Sequence, residues 1–266
     1  MRLIILSVFV GITLFGSMIK APVFGVKENQ GTIKIDMIQE GVSGFLVRHF
    51  NDDHSAIIAN IMVVAFDADS AEATVEFTPY NGLKQNALPN GTWLPRDGDE
   101  AQLAFAYNRA FLIAPNREIY QDITSRAKSI DWVHPDTFAT TLSYFGHPTP
   151  LAEDMQKYCN VSTIGLLYIY AAETLFTLDC KSLNVLQITT VQNDHKAVKL
   201  PFYSRIDTIR EAWWGEGSSL LQEYDPYYID LLKKHNKNNH LFQEFIKFDA
   251  IDKRPKLKIA TTQERN

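Results

Sequence analysis

From Gly31 to Phe77 the apolar residues recur at every second position, in short runs separated by polar turns. Ile33, Ile35 and Met37 share one face of a predicted strand over Gly31–Glu40. Phe45 and Val47 open a second, Asn51–His54 turns it into the apolar run Ile57–Phe66, and Ala73, Val75 and Phe77 alternate in a fourth. A period of two marks a strand with one buried face, and short polar turns between such strands predict antiparallel neighbours, hence a sheet or small barrel. The loop Pro79–Pro95 follows, rich in Pro, Asn and Gly, with Trp93 expected to lie as a cover over the barrel.

Beyond Gly98-Asp99 the pattern changes. Ala101, Leu103, Phe105 and Tyr107 alternate with more polar positions, which predicts one more strand with those four on its buried face. Ala110–Ala114 is apolar without interruption, as in a strand covered on both sides. Pro115-Asn116 stops it and offers Asn116 as a helix cap before Ile119, Tyr120, Ile123 and Ala127, which fall at helical spacing. Pro135 suits the first position of a second helix, with Asp136 near its positive end and Phe138, Leu142 and Phe145 on one face. A third helix after Thr149-Pro150 carries Leu151, Met155, Tyr158 and Cys159. Ile164–Tyr170 and Thr174–Asp179 form a predicted hairpin, and Leu183–Thr189 adds a strand. After Pro201, helical spacing is read over Ile206, Ile209 and Trp213, then from Asp225-Pro226 through Ile229, Leu232 and His235, and again at Leu241, Phe242, Phe245 and Ile246.

The expected fold is therefore α+β. An antiparallel β unit spans 22–95, a mixed α/β unit 96–190, and a helical segment 191–252 packs on them, with a charged tail at 253–266. The first 21 residues read differently. Arg2 precedes seventeen uncharged residues, Leu3–Ile19, and Lys20 ends the run, the pattern of a secretory signal or a short anchor. This predicts an exported chain, periplasmic or at the cell surface, touching the membrane only through that segment.

Charge narrows the partners. The formal net charge is −5, yet Leu231–Asn266 holds nine Lys and Arg against four Asp and Glu, so the rest is strongly acidic. An acidic body argues against nucleic acid, whose phosphates need a basic surface. There is no Gly-x-Ser-x-Gly elbow, phosphate-binding Walker loop or His-Glu-x-x-His helix, and no cofactor, metal or catalytic residue is assigned. His134, Asp136 and His147 come nearest to a metal or acid/base cluster. Pro135 breaks the register between the first two, so the reading preferred is that His134 and Asp136 cap or orient a helix. Asn108, Arg109 and Asn116 bracket a buried strand and are read as structural hydrogen-bonding groups. Cys159 and Cys180, the two cysteines, are read as a disulfide, since export would place them in an oxidising compartment. Trp213 and Trp214 are expected at the core and its rim.

The run GDEAQLAFAYNRAFLIAPNREIY from Gly98, then DWVHPDTFATTLS from Asp131, HPTP from His147, TIGLLYIY from Thr163 and LDCKSL from Leu178, resembles the N-terminal domain of the plasminogen-binding proteins of Helicobacter and its relatives, over about Gly41–Leu186. The resemblance implies an exported binding protein without catalysis, its partner host plasminogen or another envelope protein. In that family, plasminogen binding is attributed to a lysine at the extreme C-terminus. Kringle modules of plasminogen read an ammonium together with a nearby carboxylate, and a terminal lysine supplies both. This chain ends Gln263-Glu264-Arg265-Asn266, so the basic run Lys253, Arg254, Lys256 and Lys258 would have to serve instead. A structural or assembly role in the envelope is the alternative reading. An enzyme would need titratable groups gathered in one cleft.

Overall fold

The computed structural model describes residues 18–80, 82, 93–191 and 197–252; the residues up to Ser17 and the basic run from Lys253 lie outside them. Within these residues the chain is α+β. Six strands close a barrel: β1 (Ile19–Lys27), β2 (Gln30–Lys34), β3 (Ser43–Asn51), β4 (His54–Asp67), β5 (Glu72–Pro79) and β6 (Glu100–Leu103), in the order β1-β2-β5-β4-β3-β6 with all pairs antiparallel. Alternation decides the inside. Val23, Ile33, Leu46, Ile61, Val63, Val75, Phe77, Ala101 and Leu103 fill the barrel, and the residues between them face outward.

Two strands of this barrel stand apart from the reading by pattern. β1 begins at Ile19, so Ile19–Ala21, counted above with the leader, pair with Leu103–Ala101 of β6. β6, counted above with the α/β unit, lies between β1 and β3 and is the strand that closes the sheet on itself. The approach there is close: a Cβ on Gly44 would sit 2.0 Å from the Gln102 carbonyl oxygen, so only glycine fits opposite β6 at this point.

The second sheet is mixed, in the order β11-β10-β9-β7-β8, from β7 (Arg109–Ile113), β8 (Asp131–Val133), β9 (Leu166–Ala171), β10 (Thr174–Asp179) and β11 (Val185–Thr190). β7 runs parallel to β8 and β9, while β9, β10 and β11 are antiparallel. β7 is covered on both faces. Phe111 and Ile113 enter the larger core, and Leu112 and Ala114 enter a smaller one. The smaller core is made by α1 (Arg117–Arg126), whose Ile119 and Ile123 turn inward. The larger core takes Phe138 and Leu142 of α2 (Pro135–Phe145), Met155 and Tyr158 of α3 (Ala152–Ser162), Tyr228 and Leu232 of α4 (Tyr224–His235) and Phe242 of α5 (His240–Asp252). Among the described residues no helix is long and apolar enough to cross a membrane.

The predicted helix over Ile206–Trp213 is absent. Residues 200–223 run as turns and bends, and the reason lies in where their backbone groups are spent. Arg210 N–H donates to Ser143 Oγ and Ala212 N–H to the Gly146 carbonyl, so the segment is stitched to the C-terminal end of α2 and not to itself. Its tryptophans do not reach the core: Trp213 is 98% and Trp214 82% exposed, against the expectation of core and rim. The next helix starts at Tyr224, and Asp225, expected as its cap, accepts a hydrogen bond from Ala172 N–H at 2.9 Å.

Cys159 of α3 and Cys180, just past β10, form a disulfide with Cα atoms 5.8 Å apart, buried in the larger core. A link across this sequence separation restricts the unfolded chain and stabilises the fold by about 3 kcal/mol. Urea unfolding with and without reductant is expected to show that loss; indistinguishable midpoints would mean the core holds the two segments together unaided.

Candidate functional site

Asn116 caps α1, its Oδ1 accepting from Ile119 N–H at 2.9 Å while its amide donates to the Ala197 carbonyl. His134 caps α2, Nδ1 accepting from Asp136 N–H at 3.2 Å. Asp136 turns away from the helix to Arg205, whose Nε lies 2.6 Å from its Oδ2. The imidazole of His134 has its pKa pushed down, chiefly by burial, with the Asp136 charge working the other way. His147 does not join this pair. It is held 2.8 Å from the buried carboxylate of Asp154, which also accepts from Leu151 N–H at the start of α3. The Asn108 carbonyl accepts from Asp131 N–H, and Arg109 Nε, which has no hydrogen-bond partner among the described residues, sits 3.5 Å from Asp131 Oδ2. No three His, Cys, Asp or Glu side chains among the described residues are placed to hold a metal ion. Lys253, Arg254, Lys256 and Lys258 lie outside the described residues.

The concavity with chemistry in it is elsewhere, where barrel and mixed sheet meet. A cleft of about 770 Å³ is bounded by Phe45 of β3, Ile57 and Asn60 of β4, Tyr80, Phe105, and the segments after α3 and β10 that bring Thr163 and Lys181. Phe45 meets Tyr80 and Phe105 edge-on, with ring centroids 5.7 Å and 5.2 Å apart. The position of Phe105 departs from the alternation read in the sequence. β6 ends at Leu103, and Ala104 and Ala106 both take left-handed backbone, at φ 56° and 57°, which swings Phe105 out of the strand pattern. Such φ values are uncommon outside glycine and cost roughly 1 kcal/mol or more each. The tight turn Ala104–Asn108 therefore displays a phenyl ring at the mouth of a cleft instead of burying it.

Lys181 closes the cleft from the other side. Its ammonium lies 3.4 Å from the centroid of the Phe45 ring, and Nζ is buried with no hydrogen-bond partner among the described residues. Burial lowers its pKa to about 8, although the nearby charge of Asp179 pulls upward. Asp179 is itself fully engaged. One oxygen accepts from the backbone N–H groups of Lys181 and Ser182; the other accepts from Ser43 N–H, Ser43 Oγ and Tyr107 O–H, at 2.6 to 2.9 Å. That buried carboxylate joins the end of β10 to the start of β3, and its partners Ser43 and Lys181 line the cleft. Neither Lys181 nor the aromatic wall was visible as a site in the sequence; the one local hint is a lysine directly after a core cysteine, at the end of the buried run Thr174–Cys180.

Fold and cleft together define a class: a closed barrel joined to a mixed sheet through a buried polar knot, stapled by a disulfide. The chain belongs to the family described as Plasminogen-binding protein pgbA N-terminal, whose model matches residues 18–232. The match begins one residue before β1 and ends within α4, so it takes in the barrel and the whole second sheet. It is 31% and 30% identical, over 203 residues, to proteins named Plasminogen-binding protein PgbA from two strains of Helicobacter pylori. Those residues are 75% of this chain and 44% of each relative, so the chain spans less than half the length of these relatives. No solved structure matches it.

Proposed function

We propose that this chain is an exported, non-catalytic binding protein of the bacterial envelope, whose partner is plasminogen or another protein. The observation that carries the reading is the family match over residues 18–232, together with relatives named for plasminogen binding. Two features support it. The uncharged run Leu3–Ile19 leads into the first strand of the barrel, and the cysteines are paired, as an oxidising compartment would leave them.

Kringle recognition requires an ammonium that a second protein can reach. Lys181 does not supply it, because it lies inside a cleft too small for a folded partner. The basic positions of the C-terminal run, Lys253 and Lys256, are the candidates. With the chain immobilised, plasminogen binding is expected to be competed away by a lysine analogue such as 6-aminohexanoate. Binding indifferent to the analogue would remove lysine recognition from the proposal.

A role in envelope assembly is favoured by a different observation. Trp213, Trp214 and Tyr144, exposed to 98%, 82% and 86%, lie on segments tied together by the Ala212 to Gly146 hydrogen bond. Aromatic side chains are enriched at protein interfaces. Pull-down from envelope extracts that depends on these residues, and not on lysine analogues, would favour this second reading over the first.

A further inference from the structure

We propose that the cleft between the barrel and the mixed sheet binds a small organic carboxylate with an apolar body, anchored by Lys181 and walled by the rings of Phe45, Tyr80 and Phe105. An ammonium offers three donors, and those of Lys181 meet no acceptor among the described residues. Buried donors without partners are costly, so the arrangement calls for an acceptor from outside. Asp179 does not provide it, since both of its oxygens are taken by five other donors. The face of Phe45 compensates in part, as a ring quadrupole does for a cation, without accepting a hydrogen bond in the ordinary sense.

The lining sets the sign and the class of the ligand. Among the described residues it includes two lysines, Lys157 and Lys181, and no acidic side chain, in a chain whose net charge is −5. A cationic ligand is thereby disfavoured. A phosphate is matched less well: its oxygens ordinarily draw several charged or backbone donors together, and the Lys181 ammonium stands against the face of the Phe45 ring. A monocarboxylate fits, with its charge on Nζ and its apolar body along Ile57, Phe105 and Tyr80. A cleft of about 770 Å³ also lies in the range of small-molecule sites and is too small for a folded partner.

The depressed pKa supplies a signature. The ligand binds the ammonium form, so binding raises the pKa of Lys181 from about 8 and takes up protons in the pH range just above it. Calorimetric titration of the full chain with 4-phenylbutyrate, and with the neutral 4-phenylbutanamide, tests this. The acid is expected to bind saturably and about tenfold or more tightly than the amide. Its affinity is expected to fall about tenfold or more between about pH 7 and about pH 10, with proton uptake seen as a dependence of the heat on buffer near about pH 8. Lys181→Met keeps the apolar stem and is expected to remove both the preference for the acid and the proton uptake, while Lys181→Arg retains the preference. Circular dichroism of each variant confirms that the fold persists. Equal affinity for acid and amide, absence of saturable binding by the acid up to about 10 mM, or a folded Lys181→Met chain that still prefers the acid would each overturn the proposal. None of these readouts involves a protein partner, so they stand or fall separately from the function proposed above.

Discussion

Replacing Asp179 by alanine is expected to remove about 4 to 5 kcal/mol of stability, the largest loss from any single side chain considered, because it strands five donors at once. The carboxylate is completely buried and accepts from three backbone N–H groups, a serine hydroxyl and a tyrosine hydroxyl. Each buried donor left unsatisfied costs about 1 to 3 kcal/mol, and relaxation recovers some of the sum. The loss is large against the roughly 5 to 15 kcal/mol of a whole domain, so Asp179→Ala belongs near the limit of folding at 37 °C. Tyr107→Phe withdraws a single donor from the same knot and is expected to cost only about 1 kcal/mol. Urea midpoints of the two variants decide the matter: if Asp179→Ala is no worse than Tyr107→Phe, the carboxylate is not the joint between the sheets. The Asp179→Ala chain should also lose protection of the Ser43 and Ser182 amides together, although they are far apart in sequence, since one acceptor serves both.

The second large effect lies at the seam of the barrel. Arg48 of β3 is held by Asp99, just before β6, through two hydrogen bonds of 2.7 Å, and donates a third to the Leu94 carbonyl. Asp99 is only 2% exposed and also accepts from Arg96 N–H. The hydrogen bond to Asp99 pushes the guanidinium's pKa further up, so Arg48 is charged wherever the protein is folded. Arg48→Met is expected to cost about 3 to 5 kcal/mol, because it leaves a buried carboxylate with only the exposed Arg96 guanidinium, 3.9 Å away, as counter-charge. Arg48→Met with Asp99→Asn is expected to recover more than half of that loss, since no charge is then left uncompensated. Full additivity of the two substitutions would show that the groups act independently and that the pair does not lock β3 to the strand that closes the barrel.

How much of this was legible beforehand follows from what periodicity encodes. Ile33, Val75, Phe77, Ala101 and Leu103 were assigned to buried faces from alternation alone, and all line the barrel. Ala110–Ala114 was read as covered on both sides, and it is. Asn116 before Ile119, and Pro135 opening α2, announced helix starts because capping chemistry is local, within three or four residues. Helical spacing failed at Ile206–Trp213, where the apolar residues fit a helix but the backbone donors are taken by α2. Strand alternation failed at Phe105, where two left-handed alanines reverse the side-chain direction.

Those two failures have the same origin as the features no pattern revealed. Local chemistry settled the α+β class, the buried faces of the strands, the helix caps and the acidic body carrying a basic tail. Only the tertiary structure decided that β6 closes the barrel against β1, that Asp179 reaches Ser43 across 136 positions, and that Lys181 lies against Phe45 with no acceptor among the described residues. Hydrophobic period tells a side chain which way to face, and capping residues tell a helix where to begin. Neither names the partner that a buried charge or an idle backbone donor will meet, because that pairing is set by the closure of the chain over separations at which sequence neighbours exert no steric or hydrogen-bonding influence.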